Sequence, residues 1–160
     1  TEVYLDNISR RKAGSLIIGG LAASVSLLQP RGVNAAIKGS VFKSPSCGCC
    51  SKWVSALDDA GIKLAVKDLE SVAKIKQMLR VPAELQSCHT AVIGRYVIEG
   101  HVPPQEVKRL LSEKPKGIGL AVPGMPIGSV GMEQDGRKDP YDVILFDGDR
   151  QRVYAQYREI

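Results

Sequence analysis

Three cysteines within four residues, Cys47-Gly48-Cys49-Cys50, form the densest chemical feature of the sequence. Thiolates are soft ligands that suit Cu(I), zinc and iron–sulfur clusters, so sulfurs converging on one ion predict a soft-metal site. The stretch also contains a C-x-x-C pair, Cys47 and Cys50, the spacing of a redox dithiol. At the start of a helix, free backbone N–H groups and the helix dipole would favour the thiolate. The third thiol, Cys49, tips the reading towards metal, and Gly48 is expected to let the backbone curl around the ion. Cys88 stands in Ser87-Cys88-His89-Thr90, and the second histidine of the chain, His101, lies in Glu99-Gly100-His101-Val102-Pro103. Each histidine has the plainer alternative of a hydrogen-bonding or surface role. Met125 and Met132 flank a glycine-rich stretch, where thioethers would ligate Cu(I) well and zinc poorly; their plainer role is to pack that stretch down. The candidate ligands are therefore Cys47, Cys49, Cys50, Cys88, His89, His101, Met125 and Met132.

These residues need elements to position them. Ser40 to Lys43 reads as a strand ended by Ser44-Pro45-Ser46. After the cysteines, Trp53, Val54, Leu57 and Ala60 recur at helical spacing until Gly61. Ile62 to Val66 reads as a strand, and Val72, Ile75, Met78 and Leu79 as the apolar face of a helix, which puts Met78 in the core. Thr90 to Ile93 and Tyr96 to Glu99 flank Gly94-Arg95 as a β-hairpin. Pro103-Pro104 opens a helix carrying Val107, Leu110 and Leu111. The order is strand, Cys loop, helix, strand, helix, hairpin, helix, which is the thioredoxin-like order and predicts an α/β fold. In that fold the Cys88-His89 loop would lie beside the Cys loop, where a proline usually stands. Gly117 to Gly131 shows no periodicity and is long for an idle loop. Tyr141 to Phe146 and Arg152 to Tyr157 predict a C-terminal hairpin turning through Asp147-Gly148-Asp149-Arg150.

The N-terminus reads differently. Ser9-Arg10-Arg11-Lys12, the apolar run Ala13 to Leu28 and the small residues Asn34-Ala35-Ala36 have the order of a twin-arginine-like export signal over residues 1–36. The alternative is a helix of the fold, but Gly14, Gly19 and Gly20 and the lack of a polar face speak against it. The apolar run is shorter than a membrane span, so no stable membrane insertion is expected once the signal is removed. Residues 37–160 then form one domain. Removing four basic and two acidic residues with the signal takes the net charge from +5 to +3. That mild charge, with aromatics at only 5%, gives no basic stripe or stacking surface, and a nucleic-acid partner is not expected. Export to the periplasm would place the four cysteines in an oxidising compartment, where they are paired, catalytic or metal-bound.

The sequence resembles the small metal-binding proteins of domain of unknown function family 411. The resemblance rests on Pro45-Ser46-Cys47-Gly48-Cys49-Cys50, Ser87-Cys88-His89-Thr90-Ala91, Gly100-His101-Val102-Pro103, Gly119 to Pro126, and Gly131-Met132-Glu133. It covers Val41 to Tyr157. It implies an exported copper-binding protein linked to metal resistance, on a thioredoxin-like core, with ligands drawn from Cys47, Cys49, Cys50, Cys88 and His89 and with His101 nearby. The chain departs from the family at Val130, where the loop often carries Pro, and at Ala56, where many members carry His.

Three functions follow as expectations. The first is a Cu(I) binder that sequesters copper or exchanges it with a donor or acceptor protein, without catalysis. The second is a thiol–disulfide oxidoreductase using Cys47 and Cys50. The third is a structural module holding zinc or two disulfides, although adjacent Cys49 and Cys50 would pair with each other only under strain. No P-loop or nucleophile elbow points to a nucleotide enzyme or a hydrolase.

Overall fold

A mixed seven-stranded sheet organises the chain. The computed structural model describes residues 36–148 and 150–158. The expected export signal therefore lies, except for Ala36, outside the described residues. Strand β1 (Ile37–Lys43) leads into α1 (Gly48–Asp59), β2 (Ile62–Asp68) and a short α2 (Ala73–Met78). A 3-10 turn (Ala83–Leu85) precedes the hairpin β3 (Thr90–Ile93) and β4 (Tyr96–Glu99). Then come α3 (Pro104–Glu113), β5 (Gly119–Ala121), β6 (Tyr141–Asp147) and β7 (Arg150–Tyr157). The strands lie in the order β2-β1-β3-β4-β5-β6-β7. β1 runs parallel to β2, and β4 to β5; the other neighbours are antiparallel. Parallel neighbours need a crossover, which α1 and α3 provide.

Local sequence explains most of these elements. In α1, Trp53 and Leu57 are one turn apart and both fully buried; the helix stops before Gly61, whose φ of +83° suits glycine. Pro104 is the first residue of α3, where its missing N–H is not needed. The central strands β3, β4 and β5 are almost wholly buried. Alternate residues face opposite sides of the sheet. Ile98, Leu120 and Leu145 join Trp53 and Val107 in the main core, while Val97, Ala121 and Phe146 pack with Val81 and Leu85 in a smaller one.

Two expectations are corrected. The stretch Gly117 to Gly131 is not strandless: Gly119–Ala121 forms β5, between β4 and β6. Three residues buried on both faces leave no alternation to read, and at Gly119 a Cβ would lie 1.8 Å from the Val97 carbonyl oxygen. Met78 is not core; it is 68% exposed. The residue that α2 turns inwards is Lys76, and two residues on, about 200° around the helix, Met78 points away. No described helix is long and apolar enough to cross a membrane.

Candidate metal centre

Strand β1 delivers the chain into the turn at Ser44-Pro45-Ser46, and Cys47 caps the N-terminus of α1. Its N–H donates to the Ser44 carbonyl at 3.1 Å, and its Sγ accepts from the Cys50 N–H at 3.4 Å. Cys47 and Cys50 are joined as a disulfide. Cys49 is free, with its Sγ 3.4 Å from that of Cys47 and 4.0 Å from that of Cys88. Gly48 does not supply the curl expected of it. It is an ordinary first residue of α1 with open space where a Cβ would stand.

The other side of the site comes from the loop entering β3 and from the end of β4. Thr90 of β3 pairs with Glu99 of β4, so the residues just outside this pair, His89 and Gly100-His101, leave the hairpin at the same end. Gly100 has φ +69°, and a Cβ there would strike Ser87 at 2.6 Å. His101 turns back over Cys88, with its Nε2 3.0 Å from the Sγ. Its Nδ1 donates to the Val130 carbonyl at 2.8 Å, which leaves Nε2 as the nitrogen with a free lone pair. His89 Nδ1 lies 3.4 Å from the same sulfur. The His89 ring is fully buried, 4.3 Å from the Trp53 ring and 5.1 Å from that of His101.

Four Sγ atoms, of Cys47, Cys49, Cys50 and Cys88, lie within 4.8 Å of one another, and so do the ligating atoms of Cys88, His89 and His101. Cys88 belongs to both groups. The electrostatics suit a cation. Burial pushes the Cys88 thiol up to about 11, helped by neighbouring Cys49. Burial brings His89 down to about 3, with His101 and Lys76 adding to the effect against the opposing Gly100 backbone. Burial also lowers His101, opposed by the Val130 carbonyl and Glu133. Both imidazoles are thus neutral near pH 7, the ligating form. Among the described residues His89 Nε2 is buried without a hydrogen-bond partner, an uncommon cost for a polar atom. With Cys47 and Cys50 bonded to each other, the free thiols are Cys49 and Cys88, and these together with the uncharged imidazoles fit a soft or borderline ion.

Met125 and Met132 belong to the loop that closes over this region. Met125 is 53% exposed, and its neighbour Gly124 accepts a hydrogen bond from Ser87 Oγ through its carbonyl. Met132 follows Gly131, which packs so closely on α1 that a Cβ would lie 2.7 Å from the Cys49 carbonyl oxygen. The loop is therefore pinned at both methionines' neighbours, beside Cys88 and beside Cys49. Neither thioether hydrogen-bonds to a thiol among the described residues.

Sequence reasoning missed the polar support beneath the site. Buried Lys76 donates to Glu99 Oε1 at 2.5 Å and to Thr90 Oγ1 at 3.0 Å. Thr90 in turn donates to Glu99 Oε2 at 2.7 Å, and the Ser87 N–H to Glu99 Oε1 at 2.7 Å. Glu99 closing the apolar run Tyr96-Val97-Ile98 was the available signal, since a carboxylate there needs a partner when buried.

The sequence pattern of the family described as "Protein of unknown function, DUF411" matches residues 85–132, which hold Cys88, both histidines and both loop methionines. Two solved structures of copper resistance protein CopG superpose with a TM-score of 0.73 at 36% identity. One match covers 77% of this chain and 99% of that protein, the other 78% and 100%. No curated protein sequence matches. With the family pattern matched over residues 85–132 and a likeness that spans nearly the whole of a copper resistance protein at 36% identity, the chain belongs to the DUF411 family.

Proposed function

We propose that the protein is an exported Cu(I)-binding protein that sequesters copper or passes it to a partner protein through its clustered thiolates. The observation that carries this reading is the position of Cys88, whose free thiol is common to the four-sulfur group and to the sulfur–imidazole group. Cys49 is free and partly exposed, so a donor's Cu(I) meets its thiol first, while Cys47 and Cys50 become ligands only in the reduced protein, after a dithiol reductant has given their disulfide two electrons and been oxidised in exchange. Each thiol loses its proton to solvent as it ligates, and exchange on to Cys88 carries the ion towards His89 and His101. The methionine loop lies over the same region, which favours Cu(I) over zinc because thioethers bind zinc poorly. A partner that donates or accepts copper would need only a thiolate or thioether able to join Cys49. The scaffold is read as thioredoxin-like, on the order β1-α1-β2-α2-β3-β4-α3 with β1 between β2 and β3. Residues 1–36 are read as a twin-arginine-like export signal, and the periplasm or another exported location as the destination.

An anaerobic titration of the fully reduced protein with Cu(I), in competition with a chromophoric chelator and repeated with Zn(II), tests this. Tight Cu(I) binding at a defined ratio, well ahead of zinc, is expected; weak or absent Cu(I) binding sinks the reading. One observation favours a second reading, thiol–disulfide exchange: Cys47 and Cys50 are bonded across the first turn of α1. Insulin reduction that is lost in Cys47→Ser would support it.

A further inference from the structure

We infer that Glu99, held by Lys76, is a positioning residue for the metal centre, gripping the Cys88-His89 dipeptide from both ends. The inference rests on the reading of this site as a metal centre and says how its ligands are held.

The Cys88-His89 dipeptide belongs to no helix or strand. Its two flanking residues are both tied to one carboxylate. Glu99 Oε1 accepts the backbone N–H of Ser87, and Oε2 accepts the hydroxyl of Thr90, both at 2.7 Å. Lys76 closes the arrangement by bonding Oε1 and the Thr90 hydroxyl together. Glu99 also stands two residues before His101, with Gly100 as the turn between them. The carboxylate thus sets both segments that carry Cys88, His89 and His101.

The energetics point the same way. Lys76 and Glu99 have side chains 5% and 0% exposed. Desolvating two such charges consumes most or all of their mutual attraction, and replacing a buried ion pair with apolar residues is often neutral or stabilising. Stability is therefore a weak reason for this pair at this place. Ligand geometry is a stronger one, because groups that orient metal ligands typically change affinity by roughly 10- to 100-fold when lost.

The test uses Lys76→Met/Glu99→Leu, which removes the charges and keeps the bulk, and Thr90→Val, which removes one arm and leaves the ion pair. Thermal unfolding, Cu(I) affinity by chelator competition and the Co(II) ligand-field spectrum are read for each. The double variant is expected to melt within a few degrees of the parent, to bind Cu(I) roughly 10- to 100-fold more weakly and to show a shifted Co(II) spectrum. Thr90→Val is expected to fold and to weaken Cu(I) several-fold, and it decides the matter if the double variant does not fold. A folded variant with Cu(I) affinity within twofold of the parent and the parent's Co(II) spectrum overturns the positioning role. Failure of the parent protein itself to bind Cu(I) or Co(II) overturns the metal-centre reading instead, so the two failures are distinct.

Discussion

Cys88 is the residue on which the site turns, because both groups of ligating atoms contain its sulfur. Replacing Cys88 with Ser should lower Cu(I) affinity by at least tenfold, whereas Met125→Leu, a change at a half-exposed thioether, should have the smaller effect. Chelator competition on the two variants checks the ranking, and equal losses would remove Cys88 from its central place. The proton bookkeeping belongs to the same residue. Its thiol, pushed up to about 11, is protonated at neutral pH in the metal-free protein. Binding must displace that proton, so apparent affinity should rise with pH. His89, down at about 3, offers no competing proton above about pH 4.

Among the elements, the loop that covers the thiols depends on one glycine. Gly131 has φ +87°, and a Cβ would lie 2.7 Å from the Cys49 carbonyl oxygen and 2.9 Å from the Trp53 nitrogen. Gly131→Ala should cost about 1–3 kcal/mol and lift the adjacent Val130 carbonyl from His101. Gly124→Ala, at φ +66° with nothing within 4 Å, carries only the backbone strain. Denaturant midpoints should therefore fall further for Gly131, and equal falls would show that the close approach to α1 is unimportant. Several elements were legible beforehand. The hairpin is legible with the bounds it has, because Gly94-Arg95 separates two apolar runs. Apolar spacing marks helix α1 only from Trp53 onwards, but the helix begins at Gly48, since its first turn carries cysteines and no apolar period. Strand β5 was not legible, as its pairing partners lie far away along the chain.

At the scale of the whole molecule, folding buries two neutral histidines, and that ties stability to pH. His89 titrates at about 3 when folded and near 6.5 when unfolded. The unfolded chain therefore takes up the proton first, and the stability contributed by neutral His89 is lost as pH falls from about 6.5 towards 3. His101, also lowered, acts in the same direction, while Glu99, raised by burial, acts against them. Urea midpoints of the metal-free protein should fall between pH 7 and pH 4, and the fall should be shallower in His89→Gln. An identical slope in the variant would show that His89 is not buried in its neutral form.

What the sequence by itself determined is local. Thiol chemistry follows from four cysteines, three of them in one short run, and the order of elements follows from apolar spacing and from glycine and proline breaks. The family resemblance lay in the same short motifs, from the Cys loop to Gly131-Met132-Glu133. Only the tertiary structure decided which donors meet. Cys88 reaches His101 because β3 and β4 leave the hairpin at one end, and Cys49 reaches Cys88 because β1 lies beside β3. It alone revealed that Lys76 is buried against Glu99, 23 positions along the chain. Spacing reports neighbours along a strand or helix; the carboxylate beneath the site is a neighbour only through sheet register, which no short window contains.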